Sequence, residues 1–144
     1  MKETVKEYMG REIAAVEREA AVSAAVKKMA GAGDYRGCVI VLEKGAPVGI
    51  LSEKDVIVGV LAKGLDPSRT RVSEIMSSPL VTIDPDASVA EAAEMLRRRD
   101  VGWLAVVKDG IIYGIMEARD IAGLFREYVD NAIRQVFRFA PIRF

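Results

Sequence analysis

The stretch Gly49-Ile50-Leu51-Ser52-Glu53-Lys54-Asp55 returns, altered, as Gly114-Ile115-Met116-Glu117-Ala118-Arg119-Asp120. Each copy sets a polar residue, a cation and an aspartate directly behind an apolar run, which is how a strand passing straight into a helix reads. Glycine lets a backbone or a ligand come close, and the polar groups arrive where the first helical N–H groups lack intrahelical partners. That is a place to hold something small. Ser52-x-x-Asp55 is equally a helix-capping arrangement that needs no ligand, and spacing alone leaves both open.

The rest of the composition excludes other chemistry. The 144 residues contain no histidine, which removes imidazole general bases, Ser-His triads and nearly every zinc arrangement. The single cysteine, Cys38, has no intrachain partner and lies in the apolar run Cys38-Val39-Ile40-Val41-Leu42, so a buried structural thiol is expected. Lys plus Arg equals Asp plus Glu at 21 each, so no overall field draws the chain to nucleic acid or to an anionic membrane. Arg97, Arg98 and Arg99 read as a solvated helix end that suits the macrodipole. No stretch approaches the roughly 20 apolar residues of a spanning helix, and the first residues lack a signal-peptide core. A cytosolic protein that is not an enzyme is expected.

The elements that hold the two motifs repeat as well. A shift of 67 lays Val5 over Val72, Val22 over Val89 and Met29 over Leu96; after an adjustment near 31–34 a shift of 65 lays Gly45 over Gly110 and Asp55 over Asp120. Two copies at this period imply a pseudo-twofold pair. In the second copy, 80–83 reads as a short strand. Ser88-Val89-Ala90-Glu91 is a capping box opening a helix that ends near 99, and 103–107 and 111–116 form a hairpin about Lys108-Asp109-Gly110. A last helix runs from about 117 to 128. The first copy matches: strand 13–16, helix 21–30, strands 38–42 and 48–51, helix 53–63. The expected fold is α/β (α+β), two β-α-β-β-α units over 1–68 and 69–128, packed sheet to sheet because the strand runs are apolar on both faces. The tail 129–144 belongs to neither copy. Ile133, Val136 and Phe137 could share one helical face, covering an edge of its own domain or docking a second subunit or partner.

With the repeat and Gly-Ile-Leu-Ser-x-x-Asp in view, the sequence resembles the CBS domain family over residues 1 to about 128, as a tandem pair also called a Bateman module, here read as standing alone. The resemblance implies a sensor rather than a catalyst, with two clefts between the units for an adenosine compound: AMP, ADP, ATP or S-adenosylmethionine. An ionised Asp55 accepts from two adjacent ribose hydroxyls, Ser52 adds a hydroxyl contact, and Lys54 and the helix's first N–H groups favour phosphate. By analogy with the family, Leu80 and Val81 wall the Asp55 cleft, Ile13 and Ala14 the Asp120 cleft, and Ile50 and Ile115 their own sides. Glu117 departs from the serine or threonine of the family pattern and repels phosphate unless Arg119 compensates, so two unequal sites are expected, with Asp55 favouring phosphorylated adenosine. Arg36 and Trp103 are further candidates, Trp103 reading first as core.

The resemblance therefore implies a regulatory, ligand-sensing module, a homodimer, that signals to an effector protein by a change of arrangement. The rival is an interaction scaffold with vestigial clefts; nucleic-acid binding is a third and weaker reading.

Overall fold

The computed structural model describes residues 3–124 together with 126 and 134. The end of the last helix and all of the tail but Arg134 lie outside the described residues. No helix among them is long and apolar enough to cross a membrane.

Alternation decides which way each strand faces. The chain forms two three-stranded sheets, β1 (Ala15–Glu17), β2 (Cys38–Glu43) and β3 (Ala46–Ser52), then β4 (Thr82–Ile83), β5 (Trp103–Lys108) and β6 (Ile111–Glu117). In each, the first strand runs parallel to the central one and the hairpin is antiparallel. Along β2, Val39 and Val41 enter one core while Cys38 and Ile40 enter another; along β5, Leu104 and Val106 part from Ala105 in the same way. The cluster of Cys38, Ile40, Ala105 and Ile115 joins the two sheets face to face, and helices cover their outer faces. The mixed α/β architecture expected from the sequence is what the chain forms.

The repeat extends to irregularities. Ala15 pairs with Ile40 as Thr82 pairs with Ala105, and the antiparallel ladders slip at equivalent places, after Val41 and after Val106. Both hairpins turn through residues of positive φ, Lys44-Gly45 and Asp109-Gly110, whose twist matches that of the flanking strands.

The helices hold two departures from expectation. α2 (Val22–Gly31) and α5 (Val89–Arg99) form as read, with Ser88 Oγ accepting from Glu91 N–H at 3.0 Å. The expected continuous helix over 53–63 is instead α3 (Glu53–Val56) opening into a wider π-type turn over Ile57–Leu61. This turn leaves Ile57, Val58 and Leu61 more than half exposed.

The second departure is two four-residue helices, α1 (Val5–Tyr8) and α4 (Val72–Ile75). Val5 and Met9 pack in the core of the second sheet, whereas Val72 packs in the core of the first. Backbone bonds fix the exchange. Val5 N–H donates to Ala87 O at 2.8 Å and Val89 N–H to Glu3 O at 3.0 Å; Val72 N–H donates to Ala20 O and Val22 N–H to Thr70 O, both at 2.9 Å. Each repeat thus begins on the other's core. α6 (Ala118–Leu124) follows β6.

Candidate functional site

The crossing segments bring the two motifs against the opposite repeat. Leaving α1, Gly10 exchanges backbone bonds with Ile115; leaving α4, Ser77 does the same with Ile50. A cleft forms beside each bridge, with an aspartate at its rim.

At the first cleft, β3 ends on Ser52, which is extended (φ −105°, ψ 165°) and caps α3. Ser52 Oγ accepts from Asp55 N–H at 3.2 Å and Asp55 Oδ2 accepts from Ser52 N–H at 2.9 Å. Capping is therefore real, yet it uses one carboxylate oxygen. Among the described residues Asp55 Oδ1 has only the long contact from Ser77 Oγ, at 3.3 Å. Beside it lies a cavity of about 330 Å³ bounded by Ile50, Ser52, Lys54 and Asp55 from the first repeat and by Leu80, Val81 and Trp103 from the second. Lys54 is exposed and has no ion pair among the described residues. The Trp103 indole packs in the inter-sheet cluster and also walls the cavity, its buried Nε1 without a hydrogen-bond partner among the described residues. The structure brings together all six residues that the sequence assigned to this side, and adds Ser77, Pro79, Asp100, Val101 and Gly102. The signal for Ser77 was its register with Gly10 under the shift of 67.

The second cleft has the same frame and different contents. Asp120 Oδ2 accepts from Glu117 N–H at 2.8 Å, repeating half of the Asp55 cap. Arg36 then crosses from the first repeat: Nη1 donates to Asp120 Oδ2 at 2.7 Å and Nη2 to Oδ1 at 2.8 Å. Its Nε donates to Asp34 Oδ2 at 2.8 Å, and Nη1 lies 3.5 Å from Glu117 Oε1. Arg119 completes the network, its Nη2 donating to Asp34 and its Nε pairing with Glu117. The Arg36 side chain is 8% exposed and that of Asp120 10%. Ile13, Ala14 and Ile115 sit where the resemblance put them, around a residual hollow of only about 10 Å³. The hydrogen bonds that Arg36 donates to Asp120 raise the Arg36 pKa, outweighing burial, and the one it donates to Asp34 holds the Asp34 carboxyl below its usual range. Every charge here is already answered.

A hollow of about 360 Å³ adjoins Ile13 and Ala14, lined also by Glu12, Lys28 and Ala32, but neither Arg36 nor Asp120 borders it; it is the space at Arg36 that separates the two clefts. Small-molecule pockets run from about 300 Å³ upward, and about 10 Å³ is at most the room of one water. A larger hollow of about 580 Å³ lies outside both clefts, between β4 and α5. It presents Asp84, Asp86, Glu91 and Glu94 against a single Arg98, a balance that repels anions.

Comparison with known proteins identifies the repeat. A family model described as "CBS domain" matches residues 5–61 and again 72–127. A protein of Methanopyrus kandleri is 36% identical over 84 residues, 58% of this chain and 43% of that protein, so the match spans less than half of that relative. The CBS domain-containing protein YhcV of Bacillus subtilis is 29% identical over 119 residues, 83% of each. Among solved structures, a hexameric CBS-CP12 protein from bloom-forming cyanobacteria superimposes with a TM-score of 0.77 at 28% identity, covering 96% of this chain and 82% of that one.

Proposed function

The chain belongs to the CBS domain family, carrying two such domains, and on that premise we propose that it is a regulatory module whose Asp55 cleft takes an adenosine nucleotide. The observation that carries this is the cavity of about 330 Å³ beside a carboxylate oxygen that the helix cap leaves over. A ribose diol donates to that oxygen, Ser52 and Ser77 supply neighbouring hydroxyls, and the purine lies between Ile50, Leu80, Val81 and the Trp103 ring. The Lys54 ammonium favours phosphate over the cationic sulfonium of S-adenosylmethionine. Because both repeats wall the cleft, a ligand there favours one arrangement of the two.

The module works in the cytosol without catalysing a reaction, and a protein partner responds to its arrangement. It pairs with a second copy through the exposed Ile57, Val58, Leu61 and Leu65, an apolar face of the kind interfaces cover. The hexamer of the cyanobacterial neighbour supports assembly of this kind.

Thermal-shift and calorimetric titration against AMP, ADP, ATP, NAD and S-adenosylmethionine tests the proposal, since a ligand of the native state raises its melting temperature by mass action. One equivalent of an adenine nucleotide is expected to bind at micromolar to low millimolar concentration. Asp55→Ala and the cap-preserving Asp55→Asn should both abolish it, with circular dichroism unchanged. No binding up to about 100-fold above that range would leave the interaction scaffold as the function.

A further inference from the structure

The two clefts descend from one repeat, so residues at equivalent positions can be compared directly. Gly37 aligns with Gly102 and Cys38 with Trp103, which places Arg36 opposite Val101. Val101 lines the open cleft; Arg36 fills the closed one. The crossing strands differ in step with this. Where the open cleft has Ser77, the closed one has Gly10, and a Cβ at Gly10 would run into the Arg36 guanidinium. Arginine and glycine fit as a pair, the one filling what the other vacates.

We propose that Arg36 is the built-in occupant of the Asp120 cleft and the residue that limits this module to a single nucleotide site. It rests on the proposed function only for the class of ligand. The guanidinium presents two N–H donors in a planar fork to both oxygens of Asp120, the demand that two adjacent ribose hydroxyls make of a carboxylate. Displacing it takes the paired cation from Asp120, leaves Asp34 and Glu117 to share Arg119, and leaves an arginine charge to be rehoused from an 8% exposed site, a loss that a weakly held ligand does not offset. Glu117 alone does not close the cleft. It lies to the side, paired with Arg119, while Arg36 stands in the space itself.

The experiment is carried out in the Asp55→Ala background, so that only the second cleft is read, with adenosine and AMP as probes in calorimetry. D55A alone is expected to bind neither. Adding Arg36→Val, which copies the open cleft, is expected to tighten adenosine binding at least tenfold, to one equivalent, and Asp120→Ala should remove the gain. Failure of folded D55A/R36V to bind, binding by D55A/E117S in its place, or two equivalents bound by the wild type would overturn the proposal. A wild type that binds nothing beside a D55A/R36V that binds would sink the Asp55 proposal and leave this one standing. The unaltered protein gives a check that no folding defect can blur. The Arg36 Nε–H resonance should exchange slowly with water and stay in place at saturating AMP, and its loss or shift on AMP addition overturns the assignment.

Discussion

Ile50 and Ser77 exchange two backbone hydrogen bonds, at 3.0 Å from Ile50 N–H and 2.9 Å from Ser77 N–H, and so tie the end of one sheet to the segment entering the other repeat. The Gly10–Ile115 pair repeats this at 2.8 and 2.9 Å. Both bridges are close because the strand residue beside each is glycine: a Cβ on Gly49 would lie 2.7 Å from Ser77 O, and one on Gly114 would strike Gly10 O.

Gly49→Ala should therefore lower stability by about 1–3 kcal/mol, the usual cost of forcing an atom into a packed site. It should also weaken ligand binding, since Ser77 must retreat from Asp55. Urea denaturation and calorimetry on one variant check both.

Ser52→Ala removes the Oγ that accepts from Asp55 N–H. A stability loss of about 1 kcal/mol is expected from the missing cap, read as an earlier urea midpoint at unchanged slope.

Arg36 and Asp120 should behave as a coupled pair. A double-mutant cycle with alanine at both positions should return a coupling of roughly 1–3 kcal/mol. Because both side chains are at most 10% exposed, raising the salt from 0.05 to 0.5 M (about a threefold change in Debye length) should scarcely alter it. A coupling that salt abolishes would mean a solvated pair.

Burial pushes the Cys38 thiol up to about 12 from an ordinary 9.0. The folded pKa lies above the unfolded one, so this thiol's contribution to stability is whole below pH 9 and is lost as pH rises toward 12. At pH 8 Cys38 should react with a thiol reagent only at the rate of unfolding, whereas labelling as fast as a free thiol would contradict its burial.

Val5→Ala should loosen the second repeat rather than the first, by about 2 kcal/mol. Hydrogen exchange read at β5 and at β2 separates the two, and Val72→Ala should give the reverse pattern.

What the sequence disclosed is what neighbours in the chain decide. The hairpins at Lys44-Gly45 and Asp109-Gly110, the Ser88 cap and the two aspartates behind their strands are all local, and so were legible. Four-residue helices such as Val5–Tyr8 are too short to show a period, and their docking on the far repeat leaves no local mark. The Arg36–Asp120 contact spans 84 positions. Position alone made Arg36 a candidate beside a ligand, whereas its length, its charge and the absent side chain at Gly10 make it a substitute for one. The apolar run Ile57 to Leu61 reads as part of one continuous helix over 53–63, because nothing local marks a change of helical pitch. The chain instead takes a π-type turn there, on which Ile57, Val58 and Leu61 are exposed and Val60 is buried.

The reciprocal start of each repeat has a consequence for severed halves. A polypeptide holding one repeat alone would bring its leading helix to no core of its own and leave its own core uncovered, with a sister molecule as the natural remedy for both. Two such fragments mixed in a tube should marry by trading arms. The intact chain performs that marriage within one molecule, where the partner is never diluted away.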